Sequence, residues 1–150
     1  MVIRFSILAF LMATSLGMTA QNGPVGDTAS VKKVEPMPKM NFKTKYYNFG
    51  VIKKGDKPTF VYEFTNTGLG VLDIEIVSGC DCTELDYTQN KVKPGDSGFV
   101  KATFNSNRAE PDEIGIGKPL NKTITIVLKN TDQRGYPMVD ELKFDVQVEN

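Results

Sequence analysis

The chain has 150 residues and a mass of 16.6 kDa, with 18 basic and 18 acidic side chains, two Cys, no Trp and no His. Nucleic acids and anionic membranes are held by clustered Lys and Arg, so the balanced charge argues against both as partners. Without His, the chain alone cannot form a Ser-His-Asp or Cys-His catalytic system, and it lacks the commonest ligand of catalytic metals. We therefore predict one domain with no catalytic site, metal or cofactor.

Residues 1–20 have the composition of an export signal, with a cation at Arg4, an apolar run and small residues toward Ala20. The apolar run is too short to span about 30 Å of hydrocarbon, so a cleaved signal is favoured over a retained transmembrane helix. Cleavage after Gly17 competes with cleavage after Ala20, because Met18 is not the small residue favoured three positions before the second site. We expect an exported protein, located in the periplasm or outside the cell.

Residues 21–40 carry Gly, Pro, Ser and Lys without a sustained apolar period, which predicts a flexible linker before a domain over residues 41–150. Within it, Asp27-Thr28-Ala29 resembles an acceptor pattern of protein O-glycosylation in Bacteroidota. Thr28 is therefore a possible glycosylation site, and a chance match of three residues is the alternative.

After Asn41, short runs of alternating apolar and polar residues are separated by Gly, Pro and Asn, which is the period of half-buried strands. The runs predict strands over residues 42–49, 59–65, 71–77, 83–87, 98–105, 123–129 and 141–149. Residues 51–58 are predicted as a turn and residues 108–120 as a long exposed connection. After the second strand, Gly68 and Gly70 are expected to supply the positive φ of a tight connection.

The predicted third strand has the clearest alternation, with Leu72, Ile74 and Ile76 toward the core and Asp73 and Glu75 toward water. The two carboxylates are interpreted as a solvated face rather than an acid–base pair. Six aromatic residues of the first two strands are interpreted as core rather than as a binding surface: Tyr46, Tyr47, Phe49, Phe60, Tyr62 and Phe64.

Strands spaced by roughly ten residues, with no helical segment between them, predict an all-β fold. We predict an immunoglobulin-like β-sandwich of about seven antiparallel strands after the signal peptide and linker. A closed barrel is the alternative, because strand count and alternation do not determine closure.

Several motifs in this order and spacing resemble a family of bacterial secreted domains of unknown function that is common in Bacteroidota: Asn48-Phe49-Gly50-Val51-Ile52, Asn66-Thr67-Gly68, Cys80-Asp81-Cys82-Thr83 and Lys93-Pro94-Gly95. The resemblance covers residues 43–148. It implies a fold similar to the immunoglobulin-like domains of abnormal-spindle, Hydin and major sperm proteins, together with an envelope location and no established activity. The family's Cys-Gly-Cys-Thr has Asp81 in place of Gly here.

Cys80 and Cys82 are the only thiols, and an exported protein meets an oxidising compartment. In a straight strand these residues cannot form a disulfide, because their Cα atoms would be about 6.5 Å apart with parallel Cβ bonds. A bend at Gly79 or Asp81 would permit a small ring. Three interpretations stay open: small core fillers or a structural disulfide, a thiol redox site, and a weak metal site.

Two functional hypotheses follow. The first is a non-enzymatic binding or assembly module of the cell envelope, which contacts a protein or surface polymer through a sheet edge or end loops. The second is a thiol redox or metal-handling protein that uses Cys80 and Cys82. The first is favoured, because Asp81 disfavours a reactive thiolate and a chain without His supplies few further metal ligands.

Overall fold

The computed structural model describes residues 36–150, which form two four-stranded sheets packed face to face. The strands are β1 (Met40–Phe42), β2 (Tyr46–Lys53), β3 (Thr59–Asn66), β4 (Ile74–Ser78), β5 (Thr83–Tyr87), β6 (Ser97–Phe104), β7 (Leu120–Thr131) and β8 (Pro137–Glu149). Two short 3-10 helices, Ser106–Arg108 and Pro111–Glu113, lie between β6 and β7. The predicted signal, the linker up to residue 35 and Thr28 lie outside the described residues.

Sheet one has the order β1-β3-β6-β5 and sheet two the order β2-β8-β7-β4. The predicted β-sandwich is confirmed, and two separate sheets contradict the barrel alternative. The described domain has eight strands rather than about seven. It is also not wholly antiparallel, because β2 runs parallel to β8. Within residues 36–150, no helix is long and apolar enough to cross a membrane.

The predicted first strand, residues 42–49, is two strands in different sheets. The chain leaves sheet one after Phe42 and enters sheet two at Tyr46. β2 then continues through the predicted turn as far as Lys53. A bulge in its pairing with β8, where Gly50 has a φ of 72°, accommodates the extra length.

The predicted alternation in residues 71–77 fails at a bulge in β4. The register of β4 against β7 slips between Ile74 and Ile76, so that Glu75 is an extra residue. Beyond it the two faces exchange. Ile76, predicted to lie in the core, is 51% exposed, whereas Val77 is buried.

The core between the sheets is built from alternate residues of both, and the predicted aromatic residues pack there with one exception. Tyr47 and Phe60 stack with ring centroids 3.7 Å apart, and the buried Tyr62 donates a hydrogen bond to the Lys143 carbonyl at 3.0 Å. Burial raises the pKa of Tyr62 well above its usual range. Tyr46 is the exception: it points outward from β2 and is 50% exposed.

The residues just before β1, which the sequence assigns to the linker, run along the loop after β3. The Gly70 amide donates to the Met37 carbonyl at 3.1 Å, and the Thr67 amide to the Lys39 carbonyl at 2.9 Å. Neither Gly68 nor Gly70 has the predicted positive φ. Glycine is needed because a Cβ at either position would overlap the backbone of this N-terminal segment.

Candidate functional site: the disulfide turn and the β5 edge

The connection from β4 to β5 is a tight turn closed by a disulfide between Cys80 and Cys82. Their Cα atoms are 5.1 Å apart, and the Thr83 amide donates to the Cys80 carbonyl at 2.9 Å. Because β4 ends at Ser78, the two cysteines lie beyond the strand, and the alternation of its faces does not determine where their side chains point. The chain bends at Asp81, so the geometry that opposes a disulfide in an extended strand does not apply here.

The two sulfurs lie in different surroundings. Cys82 is 4% exposed and belongs to the core, whereas Cys80 is half-buried, with its Sγ 3.2 Å from the Thr83 hydroxyl. An incoming thiolate would reach Cys80, and Cys82 would then have to leave as a thiolate. That charge would form in an apolar place that water scarcely reaches, which is unfavourable. The arrangement suits a structural clip better than an exchange site.

β5, which begins directly after this turn, is an edge strand of sheet one. Its pairing with β6 is continuous from Thr83 opposite Phe104 to Tyr87 opposite Val100, without a register shift. Among the described residues, β6 is its only partner strand. The other side of this five-residue strand is therefore an open edge, except at its ends, where the Thr83 amide is bonded within the disulfide turn and the Tyr87 carbonyl accepts from the Gln89 side chain at 3.4 Å.

Main-chain hydrogen bonds at its two ends show which residues face β6. The Asn105 amide donates to the Cys82 carbonyl at 2.8 Å, and the Thr88 amide donates to the Phe99 carbonyl at 3.1 Å. Because bonded residues alternate along an antiparallel strand, residues 84 and 86 also bond to β6. The main-chain groups of the odd-numbered residues point to the open side; we call this set the β5 edge: Thr83, Leu85 and Tyr87.

The side chains of β5 divide between the two faces of sheet one. Leu85 and Tyr87 are half-buried against the core, whereas Glu84 and Asp86 project into solvent. Asp86 pairs with Lys101 of β6 at 2.9 Å, and Glu84 lies 3.7 Å from Arg108, in the helix that follows β6. About half of each acidic side chain is exposed, 57% of Asp86 and 50% of Glu84. We call Glu84 and Asp86 the β5 acidic pair.

The other three edges of the described sandwich are short or irregular. β1 has three residues, while β2 and β4 each contain a register shift against their neighbours. Short strands and bulges are ways in which proteins prevent unwanted strand pairing. β5 is the one edge in this part of the chain that combines five residues with regular geometry.

The loops at the ends of the sandwich, the alternative contact surface, are tied by side chains to their own backbone. At the tip of the β7–β8 hairpin, Asp132 Oδ1 accepts from the Arg134 amide at 2.8 Å and the Tyr136 amide at 3.0 Å. The hydrogen bond donated by the Tyr136 amide is the main reason that the pKa of Asp132 lies below its usual range. Tyr136 itself is 64% exposed.

At the end of β3, the structure reveals a buried polar residue whose role the sequence analysis missed. Asn66 is fully buried, and its amide nitrogen donates to the carbonyls of Gly70 at 2.8 Å and Val92 at 3.0 Å. Its Oδ1 accepts from the amides of Lys39 at 3.1 Å and Gly68 at 3.0 Å. The sequence contained a signal for this role. Asn66 lies on the same face of β3 as Tyr62 and Phe64, and a polar side chain that faces the core must find hydrogen-bond partners there.

Asp73 and Glu75 do not form the solvated pair predicted from their spacing. Asp73 lies before β4 between Lys91, at 3.4 Å, and Lys129, at 3.5 Å, and its side chain is only 16% exposed. Glu75 is exposed at the bulge. Within residues 36–150, no group of three or more acidic or Cys side chains is arranged to hold a metal ion.

Comparison with known proteins places this architecture in a family. Residues 40–136 match the family described as "Protein of unknown function (DUF1573)". No curated protein matches the chain.

Two solved structures share the fold at low sequence identity. A protein of unknown function from Porphyromonas gingivalis W83 is 17% identical, with a TM-score of 0.59 over 73% of this chain and 46% of its own. The ASH/PapD-like domain 7 of human CEP192 is 11% identical, with a TM-score of 0.56 over 91% of this chain and 96% of its own. The present chain thus spans less than half of the Porphyromonas protein. By its sequence match, the chain belongs to the DUF1573 family.

Proposed function

We propose that this protein is an exported, non-enzymatic binding module of a bacterial cell envelope, which pairs an extended segment of a partner protein with its β5 edge. The observation that carries the proposal is the regular outer side of β5, which pairs with no other strand within residues 36–150 and leaves the main-chain groups of Leu85 and the Tyr87 amide free for a partner. Exposed strand edges pair readily with an incoming strand, whose main chain supplies matching donors and acceptors.

A polypeptide suits this edge better than a surface polysaccharide. The free groups repeat at every second residue of β5, which is the spacing at which another strand offers its own N–H and C=O groups. The hydroxyls of a polysaccharide repeat with its sugar units and do not reproduce the paired N–H and C=O groups of a strand. Of the two partner classes expected from the sequence, a protein and a surface polymer, we therefore propose a protein.

Two observations support the proposed location. The first 20 residues have the composition of a secretory signal. The second observation is the disulfide between Cys80 and Cys82, because disulfides persist mainly in oxidising compartments such as the periplasm and the cell surface. The burial of Cys82 favours this structural use of the cysteines over thiol exchange.

A matched pair of substitutions tests the edge. Tyr87→Pro removes an N–H on the open side of β5, whereas Tyr87→Ala removes the same side chain and keeps the N–H. With the mature domain as bait in an envelope extract, wild type and the Ala variant should recover the same partner, the Ala variant in an amount reduced by the apolar contact of the lost Tyr87 side chain. We expect the Pro variant to lose that partner, with circular dichroism showing both variants folded.

Equal recovery by the two variants would contradict strand pairing at β5. An equal loss of the partner in both variants would also count against it, because the Tyr87 side chain alone would then account for the binding.

A further inference from the structure

We infer that the β5 edge selects a partner segment in which Lys or Arg alternates with apolar residues. This inference rests on the proposed function and specifies the chemistry of the partner. It follows from the two faces of β5, which differ in charge and burial.

The solvent face carries the charge requirement. A strand added along the open side would place side chains directly opposite Glu84 and Asp86, at the closer, non-hydrogen-bonded positions of the new pair. Lys101 and Arg108 pair with these carboxylates from the β6 side, and no other cation within residues 36–150 forms an ion pair with either of them. Lys or Arg on an added strand would complete a ladder in which each carboxylate lies between two cations.

The inner face carries the apolar requirement. Leu85 and Tyr87 are half-buried against the core, and the Leu85 Cδ1 lies close to Gly79. Side chains of an added strand that point inward would cover these two residues and extend the core. Alternation of basic and apolar residues satisfies both faces, because successive side chains of a strand point to opposite sides.

A second copy of this chain does not fit the same edge. Antiparallel pairing of two β5 strands must match their outward-facing residues, which are odd-numbered. Glu84 then lies opposite Asp86 of the other copy, or one of the two lies opposite its own equivalent. Like charges directly opposite each other are destabilising, so the β5 acidic pair disfavours self-association.

Two capped nine-residue peptides test the inference, one alternating Val with Lys and one alternating Val with Glu. Binding to the mature domain is measured by amide chemical shifts of Leu85 and Tyr87 in low salt. We expect the Lys peptide to bind roughly tenfold more tightly than the Glu peptide, since at least two opposite-charge pairs replace two like-charge pairs. Glu84→Gln with Asp86→Asn should abolish that preference.

The matched control is Glu75→Gln with Glu141→Gln, which changes net charge equally through two exposed carboxylates of sheet two. It should keep the preference. Equal binding of both peptides at the β5 edge of wild type would contradict the preference for a basic partner, but it would still agree with the proposed strand pairing at this edge. If neither peptide shifts the Leu85 and Tyr87 amides, the edge itself fails as a binding site. Dimerisation through β5 in sedimentation would overturn the choice of a separate partner.

Discussion

Replacement of Asn66 by Ala is expected to lower the free energy of unfolding by on the order of 3–5 kcal/mol. The substitution removes two donated and two accepted hydrogen bonds from a fully buried position. The Gly70 carbonyl and the amides of Lys39 and Gly68 would then lose this partner, whereas the Val92 carbonyl keeps the hydrogen bond from the Leu72 amide. Each buried unpaired group costs about 1–3 kcal/mol. Chemical denaturation of the mature domain measures the loss, with Asn90→Ala, at an exposed loop position, as the control.

Asn66→Asp separates hydrogen bonding from side-chain volume. A carboxylate keeps the shape of the amide but presents oxygen to the Gly70 and Val92 carbonyls, which raises the pKa of the introduced carboxyl group in the folded state. The destabilisation of the Asp variant should therefore be greatest near pH 7. It should shrink as the pH falls toward about 4, which is the pKa of an Asp side chain in an unfolded chain. If both variants lose less than about 1 kcal/mol of unfolding free energy, the hydrogen bonds of Asn66 do not contribute substantially to the stability of the fold.

Removal of the disulfide by Cys80→Ala with Cys82→Ala is expected to lower the melting temperature by roughly 10 °C. Closing a three-residue ring contributes about 1.5 kcal/mol through the unfolded chain. The buried Cys82 side chain adds about 1 kcal/mol of packing that Ala does not replace. Calorimetry of wild type and the double variant measures the sum.

The same double variant checks the role of the turn. A reductant should lower the melting temperature of wild type toward that of the variant and leave the variant unchanged. An identical melting temperature for wild type and variant, without reductant, would contradict a structural clip. Alkylation of unfolded wild-type protein establishes whether the thiols were oxidised at the start.

The fold class was predictable because side-chain alternation is a local signal with the period of a strand. β5 begins and ends where the sequence predicts, at Thr83 and Tyr87, since its alternation is uninterrupted and it lies between a turn and a loop. The splitting of residues 42–49 between two sheets was not predictable in this way. It depends on which neighbours Phe42 and Tyr46 find in three dimensions.

Bulges account for the main error in the predicted core. Alternation assigns each residue to a face by counting from its neighbours, so the one extra residue at Glu75 reverses every later assignment in β4. Ile76 was therefore placed on the wrong side, and Cys80 and Cys82 could not be placed by parity at all.

The candidate site was predictable only in part. The sequence singled out Cys80 and Cys82 and suggested a sheet edge as a contact surface. Which edge stays open depends on strand order, a long-range property that periodicity does not contain. The roles of Gly68 and Gly70 were hidden for the same reason, since their need for glycine arises from a backbone segment some thirty residues earlier.

Hydrogen exchange of the free, mature domain tests the openness of the β5 edge most directly. We expect alternation along one strand: slow exchange at the amides of Glu84 and Asp86, which bond to β6, and fast exchange at the amides of Leu85 and Tyr87. Comparable protection of all four amides would contradict it, because another strand would then already cover the edge in the absence of a partner.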